Sequence, residues 1–265
     1  MKLIRFEDPS GKVHLGEWVD EKQANVLAGD LFGELAPTDD VLEIRRLLSP
    51  LDPVNVICIG LNYQKHAAES GAAVPDHPVI FVKLTTSVIG PGEQIILPAD
   101  APDEVDYEAE LAVVIGEKAR NVSEEAALRY VLGYTCANDV SARDCQIRRD
   151  KQWARAKGFD TFCPLGPCLV TDPGMNPNAL TIRGRLNGEL MQDSNTADMI
   201  FSVPQLISYL SQQFTLLPGT VILTGTPQGV GVARKPPRFL HAGDTFSVEI
   251  DEIGTLSNPV TGPKS

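Results

Sequence analysis

Glu108 and Glu110 stand two residues apart at the start of the apolar run Leu111-Ala112-Val113-Val114-Ile115. On a strand this spacing puts both carboxylates on one face. Two adjacent anions repel unless a cation lies between them or one takes up a proton. A solvated strand face would show the same Glu-x-Glu pattern. A pair at the mouth of a buried strand, however, has a desolvation cost to offset. Asp139, at the end of a second apolar run, is a natural third ligand. Three carboxylates completed by water suit a hard cation, Mg²⁺ or alternatively Mn²⁺. Zinc, which favours sulfur and imidazole, fits this set less well.

His66 and Glu69, three apart on a predicted helix, share a face. A carboxylate beside an imidazole orients it and raises its basicity, so the pair can deprotonate a water. A surface histidine with an incidental ion pair has the same spacing. Lys157, within Arg155-Ala156-Lys157-Gly158-Phe159-Asp160, can hold a substrate carboxylate or steady an enolate oxygen if it lies near a metal. Alone it reads equally as a solvated lysine. Arg143 and Gln146 fall on one helical face just after Asp139, where they either bind polar groups of a substrate or brace the turn. Gly225-Thr226-Pro227-Gln228-Gly229-Val230-Gly231 is a glycine-rich loop after a strand, with backbone N–H groups available to a ligand. It lacks the Gly-Lys-Ser/Thr ending of a P-loop.

These residues need elements to position them. Val54–Gly60 reads as a buried strand, and Asn62 as the cap of a helix over Tyr63–Ser70 closed by Gly71. Val79–Lys83, Glu108–Ile115, Gly133–Asn138 and Thr245–Ile250 read as strands, and Ser123–Val131 as helix. Asn187-Gly188 centres a hairpin over Thr181–Met191. Ser202 and Gln205 form a capping box ahead of a helical face of Leu206, Ile207, Leu210 and Phe214. Pro218-Gly219 precedes the strand Val221–Thr224. Nearer the N-terminus, Lys2–Phe6 and Val13–Val19 form a strand pair, and Asp39 caps a helix through Val41, Leu42, Ile44, Leu47 and Leu48. Residues 1–50 thus read as a small separate α/β unit that carries no catalytic cluster, with Pro50 and Pro53 at the boundary. Strands outnumber helices without alternating with them, which argues for an α+β, β-rich fold of antiparallel or mixed sheet.

The 265 residues carry 23 Lys and Arg against 35 Asp and Glu, a net charge of −12. That balance repels phosphate backbones and anionic membranes, so neither nucleic acid nor membrane is an expected partner. No run of about 18 apolar residues occurs. Five scattered cysteines without a CxxC pattern read as reduced thiols, and a cytoplasmic location follows as the expectation.

Taken together, the motifs resemble those of the fumarylacetoacetate hydrolase family, in its shorter, acylpyruvase-like branch. The segments that carry the resemblance are GLNYQKHAAE (60–69), FVKLTTSVIGP (81–91), VDYEAELAVVIG (105–116), GYTCANDVSARD (133–144), KGFDTFCPLGP (157–167), Asn187-Gly188 and LTGTPQGVG (223–231). The resemblance implies a mixed β-sheet roll over residues 54–262 that bears the site, with residues 1–50 as an N-terminal appendage, and a homodimer. It implies that Glu108, Glu110 and Asp139 hold the metal and that His66 and Glu69 activate water on a segment closing like a lid. Lys157 then lies beside the metal, while Lys83, Arg143, Gln146, Gly225 and Thr226 contact the substrate. The implied reaction is hydrolysis of a C–C bond in a 1,3-diketo, acylpyruvate-type 2-oxo acid: water deprotonated by His66 attacks the distal carbonyl, and pyruvate departs as an enolate steadied by the cation and Lys157. Oxaloacetate decarboxylation and 2-oxo acid isomerisation share that enolate and stand as alternatives. Specificity is expected to depend on the lid, residues 67–78, and on the loop near Arg234–His241.

Overall fold

The structure is a computed structural model and describes residues 1–263. Among the described residues, two large mixed β-sheets pack against each other, a two-stranded ladder joins Val105–Asp106 to Ser141–Ala142, and four short α-helices connect the strands. At the middle of the larger sheet lies Ala109–Ile115, every residue of it buried. Antiparallel neighbours flank it, Val131–Asn138 on one side and Thr220–Leu223 on the other. Its continuous run of Leu, Ala, Val and Ile is what a strand covered on both faces requires. Thr220–Leu223 continues the sheet in parallel to Asn55–Gly60, and Val79–Lys83 forms the edge.

The smaller sheet is built on the hairpin Thr181–Leu186 and Glu189–Asn195, followed by Thr245–Ile250 and Gly254–Thr261. Asn187 and Gly188 both take positive φ at its turn, 53° and 83°, as a tight hairpin demands. The sheets meet closely: Tyr107 stacks on Phe246 with ring centroids 4.6 Å apart. The helix expected to act as a lid, called the lid helix, spans Gln64–Ser70 and ends at Gly71, whose φ of 64° is left-handed. The longest helix, Val203–Gln213, opens on the Ser202–Gln205 capping box. It buries Val203, Leu206, Ile207 and Leu210, whereas Phe214 lies beyond its end and is exposed. Among the described residues, no helix is long and apolar enough to cross a membrane.

Two local expectations give way. The helix through Val41–Leu48 is absent; Leu35–Glu43 is a strand, so the N-terminal part contains no helix. Leu42 there faces Ala24 and Val41 faces Asn25 across the ladder with Gln23–Gly29. Alternation decides over helical spacing: Val41 is exposed and Leu42 half-buried, because a sheet edge with free backbone groups was there to pair with. Second, Asn62 does not cap the lid helix, whose N-cap position is Tyr63. The Asn62 side chain is instead fully buried, donating to the carbonyls of Phe201 and Thr224 at 3.0 and 2.8 Å and accepting from Phe201 N–H at 2.8 Å. The N-terminal strands also join the large sheet, since Lys2–Glu7 pairs with Cys163–Val170.

Candidate active site

Glu110 lies in the central strand and Glu108 immediately before it, and their carboxylates come together as the spacing predicts. Asp139 reaches them because its own strand runs alongside: Glu110 is in register with Ala137, and the Asp139 N–H donates to the Glu108 carbonyl at 2.9 Å. One oxygen from each of the three carboxylates lies within 4.8 Å of the others, and all three residues are buried. Opposite ligands of an octahedral Mg²⁺ are about 4.2 Å apart, so the span suits a small hard cation.

Cations surround this cluster unevenly. Lys157 Nζ donates to Glu108 Oε2 at 2.8 Å and to Asp139 Oδ2 at 2.7 Å. Lys83 Nζ donates to Asp139 Oδ1 at 2.5 Å and to the Val140 carbonyl at 3.2 Å. Arg143 places Nη2 2.7 Å from Glu108 Oε1, donates from Nε to Asp106 Oδ2 at 2.8 Å and from Nη1 to Gln146 Oε1 at 2.8 Å. Among the described residues no cation pairs with Glu110, whose hydrogen bond comes from Gly225 N–H at 2.7 Å. Four buried acids, Asp106 included, therefore face three buried cations.

The proton affinities follow from this arrangement. Burial raises the Glu108 carboxyl, but Lys157 and Arg143 outweigh it and bring the pKa down to about 2. Burial, then the Asp139 and Glu108 charges, push Glu110 well above the ordinary carboxylate range. Burial weakens the Lys157 ammonium, and the Asp139 and Glu108 carboxylates more than restore it. Glu110 is thus the acid whose charge lacks a partner. A divalent cation between the three carboxylates would supply that partner, so the residues present fit a resident Mg²⁺.

His66 and Glu69 sit above this floor. His66 Nδ1 is 3.3 Å from Glu69 Oε2. Glu69 also accepts from Gly229 N–H at 3.0 and 3.1 Å, which ties the lid helix to the glycine-rich loop. That loop spends its N–H groups on the protein's own carboxylates rather than on a free anion: Gly225 on Glu110, Gly229 on Glu69, Gly231 on Asp106 at 2.7 Å. Gly225 and Gly229 hold φ of 101° and 99°, conformations that favour glycine.

A cavity of about 510 Å³ opens over the cluster. Its lining includes His66, Glu69, Glu108, Glu110, Arg143, Gln146, Lys157 and Thr226, so distant segments converge on it. Lys83 and Gly225 are not brought to the wall. Lys83 supports the Asp139 carboxylate, and the Gly225 N–H supports that of Glu110. Thr226 faces the cavity, its hydroxyl donating to the Ala109 carbonyl at 3.0 Å and accepting from Gln192 Nε2 at 2.8 Å. The loop Arg234–His241 does not line the cavity either; Arg238 and Leu240 N–H groups fold it back onto Gly231 and Val105 carbonyls. Val230–Ala233 and the π-helical turn Cys145–Arg149 form the wall in its place.

Two residues escaped the sequence reading. Asp106 accepts from Arg143, Gly231 and Val232, and so organises the cavity rim. Its signal was available, because Asp106, Glu108 and Glu110 continue one spacing of two. Gln192 joins the hairpin to Ala109 and Thr226; nothing in its local sequence marks it, since its partners lie in the other sheet and its loop.

Comparison with known proteins places these features. The family described as "Fumarylacetoacetate (FAA) hydrolase C-terminal" matches residues 55–261. "Oxaloacetate tautomerase fahd2, mitochondrial" of Xenopus laevis is 54% identical over 217 residues, covering 81% of this chain and 68% of that protein. "Oxaloacetate tautomerase FAHD2A, mitochondrial" of Homo sapiens is 49% identical over 220 residues, 82% of this chain and 70% of its own length. The crystal structure of 5-carboxymethyl-2-hydroxymuconate delta-isomerase from Mycobacterium smegmatis superposes with a TM-score of 0.88 at 43% identity, over 99% of this chain and all of that one. That of 2-hydroxyhepta-2,4-diene-1,7-dioate isomerase from Mycobacterium marinum gives 0.88 at 41% identity over the whole of both chains.

Proposed function

The chain belongs to the fumarylacetoacetate hydrolase family and is an enzyme of it, and from that premise we propose that it interconverts the keto and enol forms of a 2-oxo acid, oxaloacetate first. The observation that carries this reading is the pairing of a base at His66 with a cationic lysine at Lys157 on one cavity, in a chain whose relatives are named for that reaction. Glu108, Glu110 and Asp139 would hold the cofactor, Mg²⁺ or alternatively Mn²⁺. Bound there, it supplies a Lewis acid for the carboxylate and 2-oxo oxygens of the substrate.

The chain's own residues do the rest. His66, oriented through Nδ1 by Glu69, moves a proton to and from C3 with its other nitrogen. The Lys157 ammonium lies beside the C2 oxygen and favours the enolate as charge develops, and that oxygen takes a proton from water to give the enol while the His66 imidazolium returns its own to solvent. Gln146, its carbonyl oxygen held by Arg143, presents its amide N–H groups to the substrate. Hydrolysis of an acylpyruvate C–C bond is the second reading. It is favoured by the same dyad, which can take a proton from water, and by a cavity with room for an acyl group. Loss of CO₂ from oxaloacetate passes through the same enolate and needs no attacking water.

We further propose a homodimer on the family resemblance, to be checked by sedimentation. The five buried free cysteines support a reducing compartment, for which we propose the cytoplasm; fractionation distinguishes it from the mitochondrion named for the relatives above.

The deciding experiment follows decay of the enol absorbance of oxaloacetate, together with pyruvate release from oxaloacetate and from acetylpyruvate, each with Mg²⁺ and with EDTA. Metal-dependent enol decay without pyruvate supports the tautomerase. Metal-dependent pyruvate from acetylpyruvate supports the hydrolase, and from oxaloacetate alone the decarboxylase. His66→Ala should cripple tautomerisation and hydrolysis while sparing much of any decarboxylation. No metal-dependent change with either acid would overturn the proposal.

A further inference from the structure

We propose that Phe81, braced by Trp153, is a positioning residue for Lys157: its ring face holds the ammonium at the cavity wall by a cation–π contact, which leaves one N–H for the developing enolate oxygen. The inference rests on the 2-oxo acid reading above and deepens it.

An ammonium has three donors. Two of those on Lys157 go to Glu108 and Asp139, at 2.8 and 2.7 Å. Among the described residues no acceptor takes the third. Instead Nζ stands over the face of the Phe81 ring, 5.1 Å from its centroid. A ring face attracts a cation electrostatically without consuming a hydrogen-bond donor. A further carboxylate in its place would take that N–H and cancel the charge. Phe81 and Lys157 both line the cavity, so the contact is made where a substrate arrives.

The sequence accounts for the meeting. Phe81 and Lys83 lie two apart on the edge strand Val79–Lys83, hence on one face of it. Lys83 Nζ donates to Asp139 Oδ1, and the ammonium over Phe81 donates to Asp139 Oδ2. The spacing Phe-x-Lys thus sets a ring and an ammonium around one carboxylate, while Val82 between them is exposed.

Lys157 itself sits on a helix of five residues, Ala154–Gly158, too short to hold its place without tertiary contacts. Trp153 is its N-cap, and the Lys157 N–H donates to the Trp153 carbonyl at 3.0 Å. The Trp153 indole meets the Phe81 ring at 72° with centroids 5.4 Å apart, the edge-to-face geometry that aromatic pairs favour. It is seated over Gly60, where a Cβ would come within 2.5 Å of the indole. One short helix therefore grips Phe81 twice, by the indole at its start and the ammonium near its end. The ring fixes where the helix lies and where the lysine points. Without it, a flexible four-carbon stem is free to turn its charge toward Glu110, the carboxylate that has no cation of its own.

The test replaces Phe81 in the full chain by phenylalanines bearing one, two and three ring fluorines, which keep the ring's shape and drain charge from its face. Phe81→Leu and Phe81→Tyr complete the series. In Mg²⁺, kcat for decay of the oxaloacetate enol should fall stepwise with each fluorine, reaching about tenfold below wild type at three. KM and Mg²⁺ affinity should stay within about twofold, since the contact acts as charge develops. Phe81→Leu should lose at least as much, and Phe81→Tyr should recover most of that loss. Equal rates across the fluorinated series would overturn the proposal, because the ring is then only apolar filling. A fall that tracks lost Mg²⁺ affinity would overturn it too, because the ring then shapes the carboxylate floor. A second readout needs no turnover: the ε-methylene protons of Lys157 should resonate upfield under the ring current and move downfield in Phe81→Leu. If the wild type acts on neither oxaloacetate nor acetylpyruvate, the 2-oxo acid reading falls while this shift still reports the contact; if the shift is the same in both chains, the contact itself is overturned.

Discussion

At the scale of single residues, Glu110 is where structure and function pull apart. Its carboxylate is buried beside two others without a cation of its own. Glu110→Gln should abolish Mg²⁺ binding by calorimetry and leave the metal-free chain at least as stable as the wild type, since burial and two neighbouring anions already disfavour a charge on that carboxyl. Mg²⁺ should raise the melting temperature of the wild type and leave the variant where it was. His66 contributes differently. It stands outside the carboxylate triad, so His66→Ala should lower kcat/KM by about 10²–10⁴ while Mg²⁺ affinity stays within a few-fold. Parallel loss of metal binding would show that the imidazole shapes the floor rather than moving a proton.

At the scale of elements, the lid helix is too short to be stable alone. Two contacts hold it: Glu69 on Gly229 N–H and Lys65 N–H donating to Asp198 at 3.1 Å; the segment that follows is held by His77, stacked on Tyr209 with centroids 6.0 Å apart. Glu69→Ala should therefore speed amide exchange across residues 64–70 and lower activity, with exchange in the central strand unaltered. The hairpin sheet has its own clasp. Asp244 accepts from Asn187 at 2.7 Å, from Arg238 at 3.0 Å and from His241 N–H at 2.8 Å. Burial raises its carboxyl, but these donors prevail and hold it below the ordinary range. A depressed folded pKa means stability that is present above the ordinary aspartate value and lost as pH falls through the folded one. Asp244→Ala should cost about 1–2 kcal/mol at neutral pH. The gap to wild type in denaturant melts should shrink below about pH 4. A gap independent of pH would remove the charge from the explanation.

At the scale of the whole molecule, every proposed site residue lies beyond residue 60, and the division into residues 1–50 and 54–262 remains our proposal as a functional one. The two parts nevertheless share a sheet and a core: Leu3, Ile4 and Phe6 are buried, and Lys2–Glu7 covers the edge of Cys163–Val170. Deleting residues 1–50 should lower the melting temperature by several degrees or more, because it bares that edge and its apolar face. The folded fraction should keep its Mg²⁺ affinity; losing it would show that the appendage shapes the site.

The local sequence determined whatever depends on a short period. Alternation put Glu108 and Glu110 on one face, Asn187-Gly188 fixed its turn, and the run after Glu110 marked a strand buried on both sides. The motif order identified the family before any contact was known. Tertiary structure decided what depends on who arrives from afar. Whether residues 39–48 are helix or strand was settled by a free sheet edge at Gln23–Gly29. Asn62 left its capping role for two carbonyls and an N–H more than a hundred residues away. The glycine-rich loop turned its donors to Glu69, Asp106 and Glu110 because those carboxylates, buried or half-buried, must be satisfied by something. Residue type and spacing state what chemistry is available; only folding decides which charges are spent on each other and which remain for a ligand.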